Sequence, residues 1–124
     1  MIDFENPQFI RLKQTDNDTY EKLLLPLLID GEDIVSTYQG TRDGIVFTNK
    51  RIIAINIQGI TGKKKDITSM PYSKIQTYSV ETSGVFDLDA ELSLYFSTIG
   101  KIRFEFSGSC DMARICRIIS NYVL

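Results

Sequence analysis

Apolar positions follow two different periods along the chain, and the first of them is helical. Leucines recur three and four residues apart after Tyr20, and Asp18 with Glu21 three residues later resembles a capping box. Pro26 must end or kink this helix near Leu25, because proline lacks the N–H that a helix interior needs. The pattern therefore predicts one short helix near the N-terminus.

The first sixteen residues show no clear period, and we expect them to form a loosely docked arm. Its apolar side chains would hold it against the rest of the chain, and these are Phe4, Phe9, Ile10 and Leu12. The arm and the helix together make a predicted N-terminal segment over residues 1–30. The main domain is then predicted over residues 31–124.

From residue 33 onward, apolar and polar side chains alternate with a period of two, as in half-buried β-strands. The same runs are rich in β-branched residues, which strands favour. Turn-forming residues separate the runs, among them Asn49, Gly59 and Gly62. Seven strands are predicted, over residues 34–39, 45–48, 52–57, 63–70, 75–82, 91–97 and 101–106.

The chain ends in a broad apolar stripe at helical spacing, formed by Met112, Ile115 and Ile119. Ser109 is the predicted cap of this helix, and Asp111 would lie in its first turn, where a negative charge interacts favourably with the helix dipole. The predicted fold class is therefore mainly β, with a C-terminal helix and a short N-terminal helix.

Composition indicates a single domain, and charge is distributed unevenly along the chain. The 124 residues are 43% apolar and 24% charged, which is typical of a single domain. Residues 1–41 hold eight acidic and three basic side chains, whereas residues 42–74 hold two acidic and seven basic ones. Segments of net charge −5 and +5 attract each other within or between subunits, or draw an anionic partner to the basic part.

The chain contains no histidine. The usual general base near neutral pH and the familiar serine and cysteine triads are therefore excluded. We predict that the protein is not an enzyme and that it needs no cofactor. Asp87, Asp89 and Glu91 would share one face of an extended segment and are weak candidates for a hard cation. A solvated acidic loop is the favoured interpretation, so no metal site is predicted.

Two nucleotide-binding motifs resemble the run GITGK at residues 59–63, but neither fits it. A P-loop needs a glycine where Ile57 stands and a hydroxyl side chain where Lys64 stands. The GxxG clamp of nucleic-acid-binding KH domains joins two helices, whereas this run joins two predicted strands. We therefore expect a glycine hairpin and no nucleic-acid partner.

Basic side chains in and near this hairpin are the best candidates for contact with an anion or a lipid. The candidate residues are Arg42, Lys50, Arg51, Lys63, Lys64 and Lys65. Consecutive residues of a strand alternate between its faces, so the three lysines would not all point the same way. The alternative interpretation is edge protection, because charges on an exposed strand prevent uncontrolled pairing. An edge that is protected in this way is also an edge that another strand can pair with.

The stretch from Arg42 to Glu91 resembles the bacterial pleckstrin-homology-like domain family. Its most specific parts are FTNKR at 47–51, QGITGKK at 58–64 and SVETSG at 79–84, and the resemblance continues through AELSLYF at 90–96 to the closing IISNYVL. It implies a seven-stranded bent sandwich or partial barrel with one end plugged by the C-terminal helix. That fold agrees with the count of strands from periodicity alone.

The resemblance also implies assembly into homo-oligomeric rings through strand edges. We therefore expect a non-enzymatic binding or scaffold domain that assembles with itself, the oppositely charged segments setting the orientation. The alternative is a peripheral module for anionic membranes or lipids that uses the lysines at 63–65. Capture of a peptide from a partner protein stays open.

The location of the protein is predicted from what its N-terminus lacks. The first residues show neither the charged start nor the apolar run and cleavage site of a signal peptide. The longest apolar run, at residues 23–29, is too short to span a bilayer. We therefore expect a cytoplasmic protein.

Overall fold

The computed structural model describes residues 2, 4, 9–84 and 88–124, and within these ranges the strands form two antiparallel sheets. The first sheet contains β1 (Lys13–Thr15), β2 (Ile34–Gln39), β3 (Asp43–Thr48), β4 (Arg51–Gln58) and β5 (Lys64–Pro71), paired in that order. The second contains β6 (Thr77–Thr82), β7 (Leu88–Phe96) and β8 (Gly100–Ser109). The helices are α1 (Glu21–Leu24), continued by a 3₁₀ turn at Leu25–Leu27, and α2 (Met112–Val123).

The predicted mainly-β class with a helix near each end is confirmed, and all seven predicted strands are present. Their ends differ from the prediction by at most three residues. The strand that was not predicted is β1, whose sequence Lys-Gln-Thr has no apolar alternation to reveal it. None of the helices in the described ranges is both long enough and apolar enough to cross a membrane.

The N-terminal arm is hydrogen-bonded to both sheets. The Leu12 N–H donates to the Glu105 carbonyl at 3.0 Å, and the Glu105 N–H donates to the Phe9 carbonyl at 2.9 Å, so the arm runs beside β8. The next three residues, Lys13–Thr15, pair with β2. The expectation of loose docking is therefore wrong for residues 9–15.

Several apolar side chains of the arm contribute to the core. Phe9 and Leu12 are buried, and Phe4 is half-buried and stacks on Phe9 with 5.6 Å between ring centroids. Ile10 is 43% exposed, so its prediction as an anchor is wrong. Ile2 is buried and was missed, because the arm has no period from which its inward positions could be chosen.

The main core lies between the two sheets and beneath α2. Tyr38 of β2, Phe47 of β3 and Phe106 of β8 meet there, with the Tyr38 and Phe106 ring centroids 4.7 Å apart. The buried stripe of α2 closes one end of this core with Met112, Ile115 and Ile119. Next to it, the ring of Tyr122 stacks on that of buried Tyr72, and the Tyr122 hydroxyl donates to the Asn49 carbonyl of the β3–β4 turn.

A second apolar cluster lies on the other face of the first sheet. Tyr20 and Leu24 pack there on Val46, Ile53 and Ile55, and all five side chains are buried. With one face against the main core and the other beneath the α1 segment, every residue of β3 is buried. This explains why β3 and β4 are almost continuously apolar, whereas strands with one wet face alternate.

Both helix starts differ from the predictions. α1 begins at Glu21 without a side-chain cap, and Asp18 accepts the Glu21 N–H through its backbone carbonyl at 3.2 Å, so the predicted capping box is wrong. Asp111 is the cap of α2, since its carboxylate accepts the Arg114 N–H at 3.2 Å. Ser109, the predicted cap, is the last residue of β8. Serine and aspartate are both favoured as helix caps, and Asp111 takes this position because β8 extends as far as Ser109.

We expect Gly44→Ala to lower the free energy of unfolding by about 2 kcal/mol, because an added Cβ overpacks a filled site. That Cβ would lie 2.4 Å from the Cζ atom of Tyr20, which packs directly over Gly44. Urea unfolding measures the change. Gly40→Ala is the matched control, because its Cβ would meet its nearest atom at 3.4 Å, an ordinary contact. Equal losses in the two variants would contradict the close packing of Tyr20 on Gly44.

Candidate functional site

The six predicted basic residues lie at two opposite ends of the first sheet. Lys50 and Arg51 are at the β3–β4 turn, next to α2, and we call this the helix end. Arg42 and the lysines at 63–65 are at the β2–β3 turn and the β4–β5 hairpin, which we call the hairpin end. β4 connects the two ends and spans about 23 Å at 3.3 Å per residue. The structure therefore does not bring the six residues to one place.

At the helix end, Arg51 is committed to a buried ion pair with Glu32. Its Nε atom is 2.9 Å from Oε2 of Glu32 and its Nη2 atom is 3.0 Å from Oε1, while the Glu32 side chain has no exposed surface. Arg51 also donates to the Ser69 hydroxyl and the Leu27 carbonyl, each at 2.8 Å. Four of its five N–H groups are thus engaged, so Arg51 holds the segment after α1 against β4 and β5.

Glu32 is ionised in this site despite its burial. Burial alone would raise the pKa of the carboxyl group, but the hydrogen bonds from Arg51, from the Thr48 hydroxyl at 2.7 Å and from the Ile29 N–H at 3.1 Å outweigh it and lower the pKa. The neighbouring Lys50 is exposed in the turn. The helix end therefore offers an anion one exposed lysine beside an arginine that is already paired.

At the hairpin end, the β2–β3 turn and the β4–β5 hairpin are tied together through Arg42. Its Nη2 atom donates to the Gly59 carbonyl at 2.5 Å, and its own carbonyl accepts the Ile57 N–H at 2.9 Å. Gly59 and Gly62 have φ angles of +79° and +69°, which an L-residue with a side chain rarely adopts. The hairpin is therefore shaped by its glycines and by one arginine.

All three lysines of this hairpin are exposed. Lys63 precedes β5, and Lys64 and Lys65 are its first two residues, opposite Gln58 and Ile57 of β4. Because neighbouring strand residues point to opposite faces, Lys64 lies on the core side of the sheet and Lys65 on the α1 side, as the alternation predicted. We call residues 59–65 the basic hairpin.

A shallow cleft of about 410 Å³ lies beside this hairpin. Its lining residues are Ile10, Thr41, Arg42, Asp43, Asn56, Ile57 and Gln58. Burial raises the pKa of Asp43, although the Asn56 amide donates to its carboxylate at 2.5 Å and Arg42 is near. A carboxylate, an amide and exposed Ile10 offer recognition of a small polar or amphipathic group.

Of the three predicted carboxylates, the two that the structure describes have separate partners in the second sheet. Asp87 lies outside the described residues. Asp89 sits at a bulge of β7, where its carboxylate accepts the Gly108 N–H at 2.5 Å. Glu91 pairs with Arg103 at 3.5 Å. Within the described ranges, no three Asp, Glu, Cys or His side chains converge as metal ligands would.

Sequence reasoning missed a row of three carboxylates that runs across the second sheet. Glu81 of β6 lies opposite Glu91 of β7, and Glu91 lies opposite Glu105 of β8. We call these three residues the acidic row, and together with Asp89 they line a groove of about 310 Å³. Strand register alone brings them together, so spacing along the chain carries no signal of the row.

Comparison with known proteins identifies the family. A family model described as "Bacterial PH domain" matches residues 3–123. The chain belongs to the bacterial PH domain family. Two relatives are proteins of Bacillus subtilis strain 168. YjqA is 49% identical over 74 residues, which cover 60% of this bacterial PH domain and 59% of YjqA. YozO is 32% identical over 105 residues, which cover 85% of this bacterial PH domain and 90% of YozO.

Solved structures of similar proteins have the same fold. A pleckstrin-homology protein from Shewanella loihica is 38% identical, with a TM-score of 0.76 over 93% of this bacterial PH domain and 99% of that chain. A pleckstrin homology domain from Shewanella amazonensis is 40% identical, with a TM-score of 0.62 over 89% and 90%. The predicted family and fold are thereby confirmed.

Glu32→Gln should lower the free energy of unfolding by about 3 kcal/mol at pH 7, because it leaves the paired charge of Arg51 without its partner. The folded-state pKa of Glu32 lies below the ordinary value of 4.5, so its contribution is complete above roughly pH 5 and is lost as the pH falls through the folded-state pKa. Urea unfolding at a series of pH values should show the difference from wild type shrinking below about pH 4. Glu21→Gln, at an exposed carboxylate, is the control. A difference that is independent of pH would contradict the ion pair.

Proposed function

We propose that this bacterial PH domain is a non-enzymatic scaffold that assembles with copies of itself through strand edges. Of the four outer strands, β1 and β8 meet at the N-terminal arm through Leu12, and the observation that carries the proposal is the other two, β5 and β6. Each pairs with one strand in the part of the chain that the structure describes, so each presents a second edge of backbone donors and acceptors. Such edges accept a strand from another molecule.

The charges at the two edges are opposite. β5 begins with Lys64 and Lys65, whereas β6 carries Glu81 at the end of the acidic row. Carboxylates placed directly opposite one another across strands repel, and among the residues that the structure describes the ion pair with Arg103 relieves this repulsion at Glu91. Lysines from a second subunit would relieve it at Glu81 as well, so charge favours β5 of one subunit beside β6 of the next.

The two edges also differ in their resistance to pairing. β6 contains neither lysine nor proline, which are the residues that usually block an edge, and Thr77, Ser79 and Glu81 are exposed. β5 ends at Pro71, so pairing would use its lysine-bearing half. A contact between two different edges repeats head to tail, and it closes into a ring when its rotation permits.

The N-terminal third contributes less to this contact than its charge suggests. Glu32, one of its acidic residues, is already paired with Arg51 inside the subunit. Part of the opposite charge of residues 1–41 and 42–74 therefore stabilises the fold itself. The acidic row, which reaches the β6 edge at Glu81, is the partner that we assign to the lysines.

A second candidate function is attachment to an anionic membrane surface through Lys63, Lys64 and Lys65. Their exposure at the end of a protruding hairpin favours it. Each basic residue near an anionic surface is worth about 1 kcal/mol. Three lysines give weak attachment that salt reverses.

A charge exchange tests the assembly. Lys65→Glu and Glu81→Lys should each shift the mass toward the 14.1 kDa subunit, and the double variant should regain the wild-type oligomer, because it restores opposite charges across the contact. Size-exclusion chromatography with light scattering at low and high salt measures the mass. Lys22→Glu, on exposed α1, is the matched control and should not change the mass. A wild-type chain that is a monomer at both salt concentrations would overturn the proposal.

A further inference from the structure

The tip of the basic hairpin presents an isoleucine side chain to solvent. Ile60 is 105% exposed, more than any other large apolar side chain among the described residues. It stands beyond the last paired residues of the hairpin, Gln58 and Lys64, so it projects past the end of the sheet. A single exposed apolar side chain is ordinary on a protein surface, and its meaning depends on what surrounds it.

The hairpin holds this side chain in position. The turn needs its two glycines, since both have positive φ angles, and Arg42 fixes the first of them through its carbonyl. The site of a Cβ on Gly62 lies 3.5 Å from the Ile57 side chain, so the return of the hairpin packs against β4. The exposure of Ile60 therefore follows from a defined turn.

The surroundings of Ile60 are cationic. Three exposed lysines follow within five residues, Arg42 lies on the adjoining turn, and no acidic residue occurs between Ile57 and Lys65. An apolar tip with basic residues behind it matches the layers of an anionic bilayer, in which the hydrocarbon lies beneath the headgroup phosphates. A protein partner would need a pocket shaped for the tip, whereas a fluid acyl layer accepts a protruding side chain without one.

We infer that the basic hairpin inserts into anionic membranes, with Ile60 entering the acyl region while Lys63, Lys64 and Lys65 contact lipid phosphates. The inference rests on the second candidate function, attachment to an anionic membrane surface. Burial of one isoleucine is worth about tenfold to 100-fold in affinity, and each lysine contributes about fivefold. One subunit would therefore bind weakly, and a cyclic oligomer whose hairpins face the membrane would bind more strongly, because symmetry gives all of them the same inclination to its axis.

Fluorescence of Ile60→Trp tests the insertion, because the chain contains no tryptophan. The full-length variant is mixed with vesicles of equal parts phosphatidylcholine and phosphatidylserine. We expect its emission to shift to the blue with these vesicles and to stay unchanged with phosphatidylcholine alone. Ile29→Trp is the matched control, because Ile29 is 60% exposed and lies after α1, away from the hairpin, so its emission should not move.

Co-sedimentation with the same vesicles separates insertion from attachment. Ile60→Ala should weaken binding about tenfold, and replacing the three lysines by alanine should abolish it. Binding that needs the lysines but is unaffected by Ile60→Ala, with no blue shift of Ile60→Trp, would overturn insertion and leave attachment standing. Absence of any binding to anionic vesicles would overturn both. Emission of Ile60→Trp that is already blue-shifted without vesicles would place the tip against protein and would also overturn insertion.

Discussion

Burial of the first sheet on both of its faces is the constraint on which the rest of this bacterial PH domain depends. One face meets the second sheet and α2, and the other meets Tyr20 and Leu24 of the N-terminal segment. The N-terminal segment is short, so it is held by specific contacts: Tyr20 over Gly44, and Arg51 paired with Glu32 and bonded to the Leu27 carbonyl. A helix of four residues would not be stable in isolation, and packing and these bonds fix it.

The same constraint decides which surfaces remain for function. Both faces of the first sheet are covered at β3 and over most of β4, the helix end is closed by α2, and Arg51 is occupied by Glu32. In the part of the chain that the structure describes, three surfaces stay accessible: the outer edges of β5 and β6, the outer face of the second sheet with its acidic row, and the basic hairpin. Self-assembly and membrane contact are proposed from these surfaces, and they use different atoms, since an edge pairs through backbone groups and the hairpin acts through side chains. A scaffold that assembles by its edges can therefore present its hairpins to a membrane.

The sequence predicted most of the helices and strands but only some features of the candidate site, for identifiable physical reasons. Strands with one solvent-exposed face show their period, whereas β1 is three polar residues that continue the arm beyond its bonds to β8. The exposed lysines at 63–65 follow from composition and a turn signal. The role of Arg51 does not, because Arg42, Lys50 and Arg51 look alike until Glu32 is brought to one of them across nineteen positions. The acidic row depends on the register of three strands, which no short-range pattern encodes.

Hydrogen exchange of the full chain at two protein concentrations tests self-assembly through strand edges most directly. Amides of β5 and β6 that point away from their partners in the subunit should be protected at high concentration and should exchange faster on dilution, because they are bonded only in the assembly. Amides of β3, which is enclosed within the subunit, should exchange at the same rate at both concentrations. Exchange of β5 and β6 that does not depend on concentration, in a sample that remains oligomeric throughout, would show that the subunits associate through another surface.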